Sequence, residues 1–551
     1  MEISDPVLQF LLALCMAGAC SLAFYFYYRS WFRPQTVRRR LRQQGVAGPP
    51  PSFPFGNSLE MKRLVAEMKR RRGRGGEETT EIEHDYTPLS TVCACIACPV
   101  FLYSMGNVVA LHVSHPDVVK EISLCSSSDL GKASYLKKTH EPLFGQGILK
   151  SNGESWSHQR KIIAPEFFSD KVKGMVDLMV DSATPLLTSW RETVELAGGT
   201  AEIKIDEHLR RYSADAISRT CFGSNYAKGK EIFEKLRALQ NAVARPNFFA
   251  EITGLRCIPT KRAREVQRLN REVNALILRA AKEEDKEESG GEQPTQRNLL
   301  QAILRSASGS LECSDRFVVD NCKNIYFAGH ETTAVAASWC LMLLALHPEW
   351  QARARAEAVE VCGGRSPDSN ALQKMKIVSK LILLDKSLFD IKLIELQLTM
   401  VIQESLRLYP PGAFVAREAL RDVDLAGLRI PAGVNIYVPV TVLHHDASIW
   451  GPDPHRFDPD RFARGSSSSI TAAAGCRPPH TYLPFGAGPR TCLGQNFAMA
   501  ELKVVLSLLL LRFDFDLSPA YCHSPCMRLI VEPEHGVKLL VKQVQADSIT
   551  S

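Results

Sequence analysis

One decapeptide narrows the possible folds of this 551-residue chain more than any bulk property. It reads Phe485-Gly486-Ala487-Gly488-Pro489-Arg490-Thr491-Cys492-Leu493-Gly494 and is followed by an apolar, helix-like run over 495–512. The cysteine falls in a glycine-rich loop just before a helix. There the partial positive charge of the helix start and the loop N–H groups favour thiolate over thiol, as a sulfur ligand to iron requires. Gly486 and Gly488 let backbone approach a flat macrocycle closely, Arg490 suits a carboxylate on its edge, and Gly494 leaves room where the helix passes beneath a ring. A lone buried cysteine in a glycine turn is ordinarily structural. The whole string in register makes Cys492 a candidate metal ligand, with Phe485 and Gly486 against the same surface.

Three further motifs carry chemistry. Ala328-Gly329-His330-Glu331-Thr332-Thr333 lies inside an apolar run, where a glycine followed by side chains that bond back to the backbone can open a helical turn. Such an opening makes room for a small gas molecule, and Thr332 beside Glu331 can hold water and relay protons. The bland reading is a threonine bonded to its own helix. Glu404 and Arg407 stand one helical turn apart and can pair, in a helix that ends at Tyr409-Pro410-Pro411. Trp156 and Arg160 share one helix face, where indole N–H and guanidinium both suit a carboxylate.

The N-terminus bears on the compartment. No side chain from Pro6 to Tyr28 is charged, and about twenty residues at roughly 1.5 Å rise each can span a hydrocarbon core about 30 Å thick. Arg29, Arg33, Arg38, Arg39, Arg40 and Arg42 follow this run, whereas Glu2 and Asp5 precede it. The positive-inside rule then puts the remainder in the cytosol, with a single pass through the endoplasmic reticulum membrane expected. A cleaved signal peptide is the alternative, disfavoured because the run is long and the basic residues follow it. The 16 cysteines lack the regular spacing of a disulfide scaffold, which fits a reducing environment. Lys plus Arg at 67 against Asp plus Glu at 60 gives +7, a mild excess suited to membrane lipid or an acidic partner. No nucleic-acid motif is present, so no nucleic-acid partner is expected.

Residues 1–28 therefore read as a membrane anchor, 29–57 as a basic and proline-rich hinge, and 58–551 as one catalytic domain. Helices are expected over 171–197, 206–220, 232–243, 261–284 and 316–346, and strands over 108–113 and 434–440. Residues 69–83, 282–296 and 465–479 have the composition of solvated loops.

The 485–494 string resembles the haem-binding loop of the cytochromes P-450, and the similarity runs over roughly 49–541. The resemblance implies a mainly α fold with small β-sheets, haem b between two long helices, and one N-terminal transmembrane helix. It implies Cys492 as the axial thiolate on iron, with Arg490, Trp156, Arg160 and Arg417 at the propionates. Thr332 and Glu331 would be the catalytic pair, and Glu404, Arg407 and Arg461, the last from Phe457-Asp458-Pro459-Asp460-Arg461-Phe462, a structural cluster behind the haem. The implied reaction is a monooxygenation using dioxygen and electrons from NADPH through NADPH-cytochrome P-450 reductase, docked on basic residues such as Arg490, Lys503 and Arg512. The stretches 129–169 and 177–187 are similar to a plant clade that oxidises gibberellins and related diterpenoid acids, most of all to gibberellin 13-hydroxylases. A gibberellin hydroxylated at carbon 13 is the expected substrate, with deactivation at another position as the alternative. The resemblance puts Leu143, Ala328, Phe414, Val415, His523, Ser524 and Pro525 near substrate.

Two segments depart from the family. Between Lys376 and Leu398 about twenty extra residues, rich in Leu, Ile and Lys, read as a translated retained intron or as an extra surface helix. Residues 91–99 (TVCACIACP) replace a longer family helix, and Cys93, Cys95 and Cys98 lack the fourth ligand of a zinc site. Two competing readings stay open: a haem-thiolate isomerase, disfavoured by Glu331 and Thr332, and an inactive haem-binding membrane protein.

Overall fold

Long runs with apolar residues on one face build a mostly helical body, and short β-branched runs add small sheets at its edge. The computed structural model describes residues 6–74, 98–223, 226–244, 260–290, 299–307, 311–363, 365–368, 371, 397–465 and 480–544. The elements that position the site are α1 (Pro6–Tyr27), α2 (Arg33–Arg42), α3 (Gly153–Ile163), α4 (Val176–Leu196), α5 (Asp206–Phe222), α6 (Tyr226–Ala244), α7 (Lys261–Gly290), α8 (Leu311–Leu346), α9 (Pro348–Cys362), α10 (Gln397–Leu408) and α11 (Gln495–Leu510).

The 36-residue α8 forms the axis of the molecule. Its last three turns are apolar on every side, with Trp339, Cys340 and Leu341 through Leu344 all fully buried, as a helix surrounded by others must be. It packs on α5 and crosses α11, whose Val504, Val505 and Leu506 are equally buried.

The main sheet has the order β1 (Val100–Met105), β2 (Val108–Val113), β6 (Asn435–Pro439), β5 (Phe414–Ala419), β3 (Leu130–Gly131). The β1–β2 hairpin turns through Gly106 at φ 57°, and β2 meets β6 in parallel with Leu111 opposite Ile436. Behind α4 a second sheet places β8 (Lys538–Gln543) between β4 (Thr200–Lys204) and β7 (Phe513–Leu517).

Most expected elements appear with shifted ends. The helix expected over 171–197 breaks at Gly174 into a short turn, Ser169–Lys173, and α4. The strand expected over 434–440 stops at Pro439, which cannot donate to a ladder, and a helical turn follows. The loop expected from Lys282 is instead helix as far as Gly290, because Glu and Lys are good helix formers at exposed positions. The rest of that loop, residues 93–97, 377–396 and 466–479 lie outside the described residues.

The 22-residue α1 exposes its large apolar side chains, Phe10, Leu22 and Phe24 among them. By length and composition it can cross a membrane. The expected hinge at 29–57 is corrected by the contacts that follow α1. Arg38, 1% exposed, donates to Ser104 Oγ at 2.9 Å and to the Pro49 carbonyl at 2.6 Å. Asn57 N–H donates to the Ser104 carbonyl at 2.7 Å and Leu102 N–H to Ala47 O at 2.8 Å. Prolines lack donors but keep carbonyls, and here neighbouring donors stitch those carbonyls to the sheet.

Candidate active site

A cavity of about 370 Å³ lies between α8 and the start of α11, within the range of cofactor sites. The Cys492 loop forms one wall. Cys492 N–H donates to the Phe485 carbonyl at 2.9 Å, and Gly486 N–H to Leu483 O at 3.0 Å. Gly486 and Gly488 take φ of 70° and 75°, and a Cβ on Gly488 would run into the Ser123 carbonyl. Gly494 caps α11 with no protein atom near the place its Cβ would occupy.

Cys492 presents its surface to the cavity although it sits deep in the molecule. Burial raises its thiol above the usual value, opposed by the Gly494 N–H and the Arg160 guanidinium. The helix-start effect expected from sequence is therefore present but smaller than the burial effect. A metal cation held by the sulfur would stabilise the thiolate there.

The opposite end of the cavity is cationic. Arg417 on β5, Arg490, Arg160 on α3 and Lys132 all line it, and no ion pair to any of them occurs among the described residues. Burial lowers Arg417 and Arg490 to about 10 and pushes Lys132 well below its usual range, with Arg417 and Lys150 adding repulsion. Buried cations without counterions are costly, so this end calls for an anion with more than one charge. Trp156 braces it: the Arg490 guanidinium stacks 4.3 Å and that of Arg160 5.6 Å from the indole ring. Asn152 joins the pieces, accepting from Lys132 N–H at 2.8 Å and from Arg490 Nη2 at 3.0 Å. A thiol on one wall, glycines opening onto flat space and cations on the rim fit a haem with its two propionates.

On the α8 side Ala328, Gly329, Thr332, Thr333 and Ala336 line the cavity. The helix runs unbroken through Gly329, and Thr332 Oγ1 donates to the Ala328 carbonyl at 2.7 Å. Glu331 is not among the lining residues. It turns the other way, 3.0 Å from Arg237 Nη1 on α6 and 3.4 Å from Arg210 Nε on α5. Burial works to raise its carboxyl, but His330, Arg237 and Arg210 together hold it at about 2. Glu532 receives the same two arginines at 3.1 Å each. Of the residues expected near substrate, Ala328, Phe414 and Val415 line the cavity, whereas Leu143, His523, Ser524 and Pro525 do not.

Behind the cysteine loop, Glu404 and Arg407 on α10 form a fully buried two-pronged pair, with Nε–Oε2 at 2.6 Å and Nη2–Oε1 at 2.7 Å. Arg461 Nε stands 3.5 Å from Glu404 Oε1. Arg407 also donates to the carbonyls of His444, Pro454 and Arg456. Sequence reasoning missed His444: its Nδ1 meets the Arg407 carbonyl at 3.1 Å while its Nε2 accepts from Leu483 N–H at 2.8 Å, tying this cluster to the cavity wall. It missed Lys132 too, since no spacing rule links that lysine to the other cations. Of the residues expected at a docking face, Lys503 is only 3% exposed and Arg490 turns inward; Arg512 is exposed.

A helical body of this kind, with a cysteine loop under its longest helix, is the architecture of a haem-thiolate enzyme. The cytochrome P450 family model matches residues 87–383 and 390–541, and the chain belongs to that family. It is similar to cytochrome P450 714B3 of Zea mays, 54% identical over 97% of this chain and 96% of the relative. It is similar also to cytochrome P450 714B2 of Oryza sativa subsp. japonica, 54% identical over 97% of each chain. Cytochrome P450 714A2 of Arabidopsis thaliana is 40% identical over 96% of this chain and 97% of the relative. The chain is thus a P450 monooxygenase of the 714 group, a family that uses a haem-thiolate iron.

Proposed function

We propose that this chain hydroxylates a gibberellin at carbon 13, on haem b held by Cys492. The observation that carries the reading is a cavity with one thiol wall, one cationic end and an otherwise apolar lining. Cys492 would ligate the iron, Arg160, Arg417, Arg490 and Lys132 would neutralise the propionates, and Trp156 would fix the arginines in place. Phe485, Gly486 and Gly494 would lie against the ring. Haem, when bound, supplies the iron centre at which dioxygen is activated with electrons from NADPH delivered by NADPH-cytochrome P-450 reductase. Ala328, Ile325, Phe414 and Val415 offer an apolar wall to a rigid hydrocarbon skeleton and exclude water from it. Thr332 places a hydroxyl at that wall, where it can hold a water molecule. The gibberellin assignment is supported by the likeness of 129–169 and 177–187 to gibberellin-oxidising enzymes.

The anchor α1 would hold the catalytic body on the cytosolic face of the endoplasmic reticulum, since the arginines follow the apolar run. The test is a carbon monoxide difference spectrum of the reduced protein, then incubation with reductase, NADPH and a panel of gibberellins. A thiolate-type band and a 13-hydroxylated product are expected. The band with product at another carbon would overturn the position, and the band with no product from any diterpenoid would overturn the substrate.

A further inference from the structure

Lys150 sits at the corner between the apolar wall of the cavity and its cationic end. Ile148 and Leu149 before it line the cavity, and the carbonyl of Ser151 after it accepts from both Nη atoms of Arg490, at 3.2 and 3.1 Å. Three side chains of α8 hold this loop. Gln146 N–H donates to Asp320 Oδ2 at 2.8 Å, Ile148 N–H to Asn321 Oδ1 at 3.1 Å and Leu149 N–H to Asn324 Oδ1 at 2.9 Å. The backbone of Lys150 is thereby fixed beside the cavity, at the base of a flexible four-carbon stem.

Lys150 is 9% exposed. Its ammonium meets His140 Nδ1 at 3.4 Å and lies 5.2 Å from the centre of the Phe144 ring. That ring packs edge-on against Phe327, the neighbour of the wall residue Ala328. Lys150 forms no ion pair among the described residues, and burial lowers it to about 8 with no acid opposing the fall. Lys323 on α8 shows how a structural lysine is held under the same loop. It is 2% exposed, donates to the Pro142 carbonyl at 3.2 Å and to Asn270 Oδ1 at 3.0 Å, and has Asp320 at 3.6 Å. Lys150 lacks such an acid, and an unpaired buried ammonium is costly. Its surroundings are short of negative charge as well. Lys132, which lines the cavity, is pushed down by Lys150 together with Arg417 and Arg490. With Arg160 these cations outnumber the two propionates of a haem and one thiolate, so a deficit remains around Lys150 once haem is bound.

We propose that Lys150 receives the carboxylate of the substrate and so selects an acid over its neutral relatives, with the rigid skeleton laid along Ile148, Leu149, Ala328 and Val415. This rests on the gibberellin reading above, in which the substrate is a diterpenoid acid. The stem turns past Leu149, and the ammonium exchanges the long His140 contact for a charge-assisted hydrogen bond. One placed charge in an otherwise apolar pocket fixes the orientation of the whole skeleton. Lys150 touches the substrate away from the reacting carbon and sets specificity.

The test is equilibrium binding to the haem-loaded full-length protein, followed by the Soret band, with a gibberellin as the free acid and as its methyl ester. The wild type should bind the acid at least about tenfold more tightly than the ester. Lys150→Met should weaken the acid about 10–100-fold, the scale of one hydrogen bond to a charged group, and leave the ester within about twofold. Lys150→Arg should keep most of the preference. Replacing a merely structural lysine would move acid and ester together, so equal weakening, or no change in either, would overturn the proposal. If Lys150→Met takes up no haem, the wild-type ratio and Lys150→Arg decide, and a wild type that binds acid and ester alike overturns it. A wild type that binds neither form overturns the gibberellin reading instead, and another diterpenoid acid with its methyl ester then carries the same comparison.

Discussion

At the scale of single residues, the site depends on buried polar side chains held by several partners at once. Arg407 is the clearest case, because its fully buried guanidinium meets both oxygens of Glu404 and three backbone carbonyls. Lysine offers one compact charge and cannot reach that fork. Arg407→Lys should therefore cost about 3–5 kcal/mol, the range for breaking a buried ion pair. The check is haem content and thermal unfolding of the purified variant, with loss of most of the haem-bound fraction expected. The Glu404–Arg407 spacing was legible in the sequence because one helical turn brings positions three apart onto one face. The three carbonyl partners were not, since they lie 37, 47 and 49 residues on and carry no side-chain signal.

At the scale of elements, helices were readable from apolar periodicity, but their junctions were set by neighbours. The start of α10 is an example: Leu398 N–H donates to the buried Glu357 carboxylate on α9 at 2.6 Å, which anchors the helix N-terminus independently of what precedes it. The family match is interrupted at 384–389, inside the stretch that reads as an insert. We propose that residues 377–397 are not needed for folding. A chain lacking them should give a carbon monoxide band of at least full-length yield, and loss of the band would show instead that the stretch is a working part of the fold. Sequencing the mature transcript separates a retained intron, seen as reads joining codons 376 and 398, from a genuine insertion.

At the scale of the whole molecule, buried titratable groups give stability a definite pH profile. Burial lowers His444 to about 3 and His112 to about 4. Between those values and the unfolded value near 6.5 the unfolded chain binds more protons, so stability rises with pH. Glu331, held at about 2, adds to the loss in acid. Glu501, raised to about 8, works the other way: from about 4.5 to 8 the native state binds more protons, and stability falls as pH rises. A pKa that differs by one between the folded and unfolded chain is worth about 1.4 kcal/mol. Thermal unfolding followed against pH should peak near about 6.5, because below it the two histidines outweigh the single Glu501 carboxyl, and Glu501→Gln should flatten the decline just above it. A profile that keeps rising to pH 8 would contradict the Glu501 environment. What the sequence alone determined is everything carried by short spacing: the cysteine loop, the Glu404–Arg407 pair, the apolar first helix and the family. Only the tertiary structure decided which way Glu331 points, that Lys132 joins Arg160, Arg417 and Arg490, and that Glu501 is fully buried. Those outcomes depend on packing between α5, α6, α8 and α11, whose residues lie hundreds of positions apart, and local pattern holds no record of such distances.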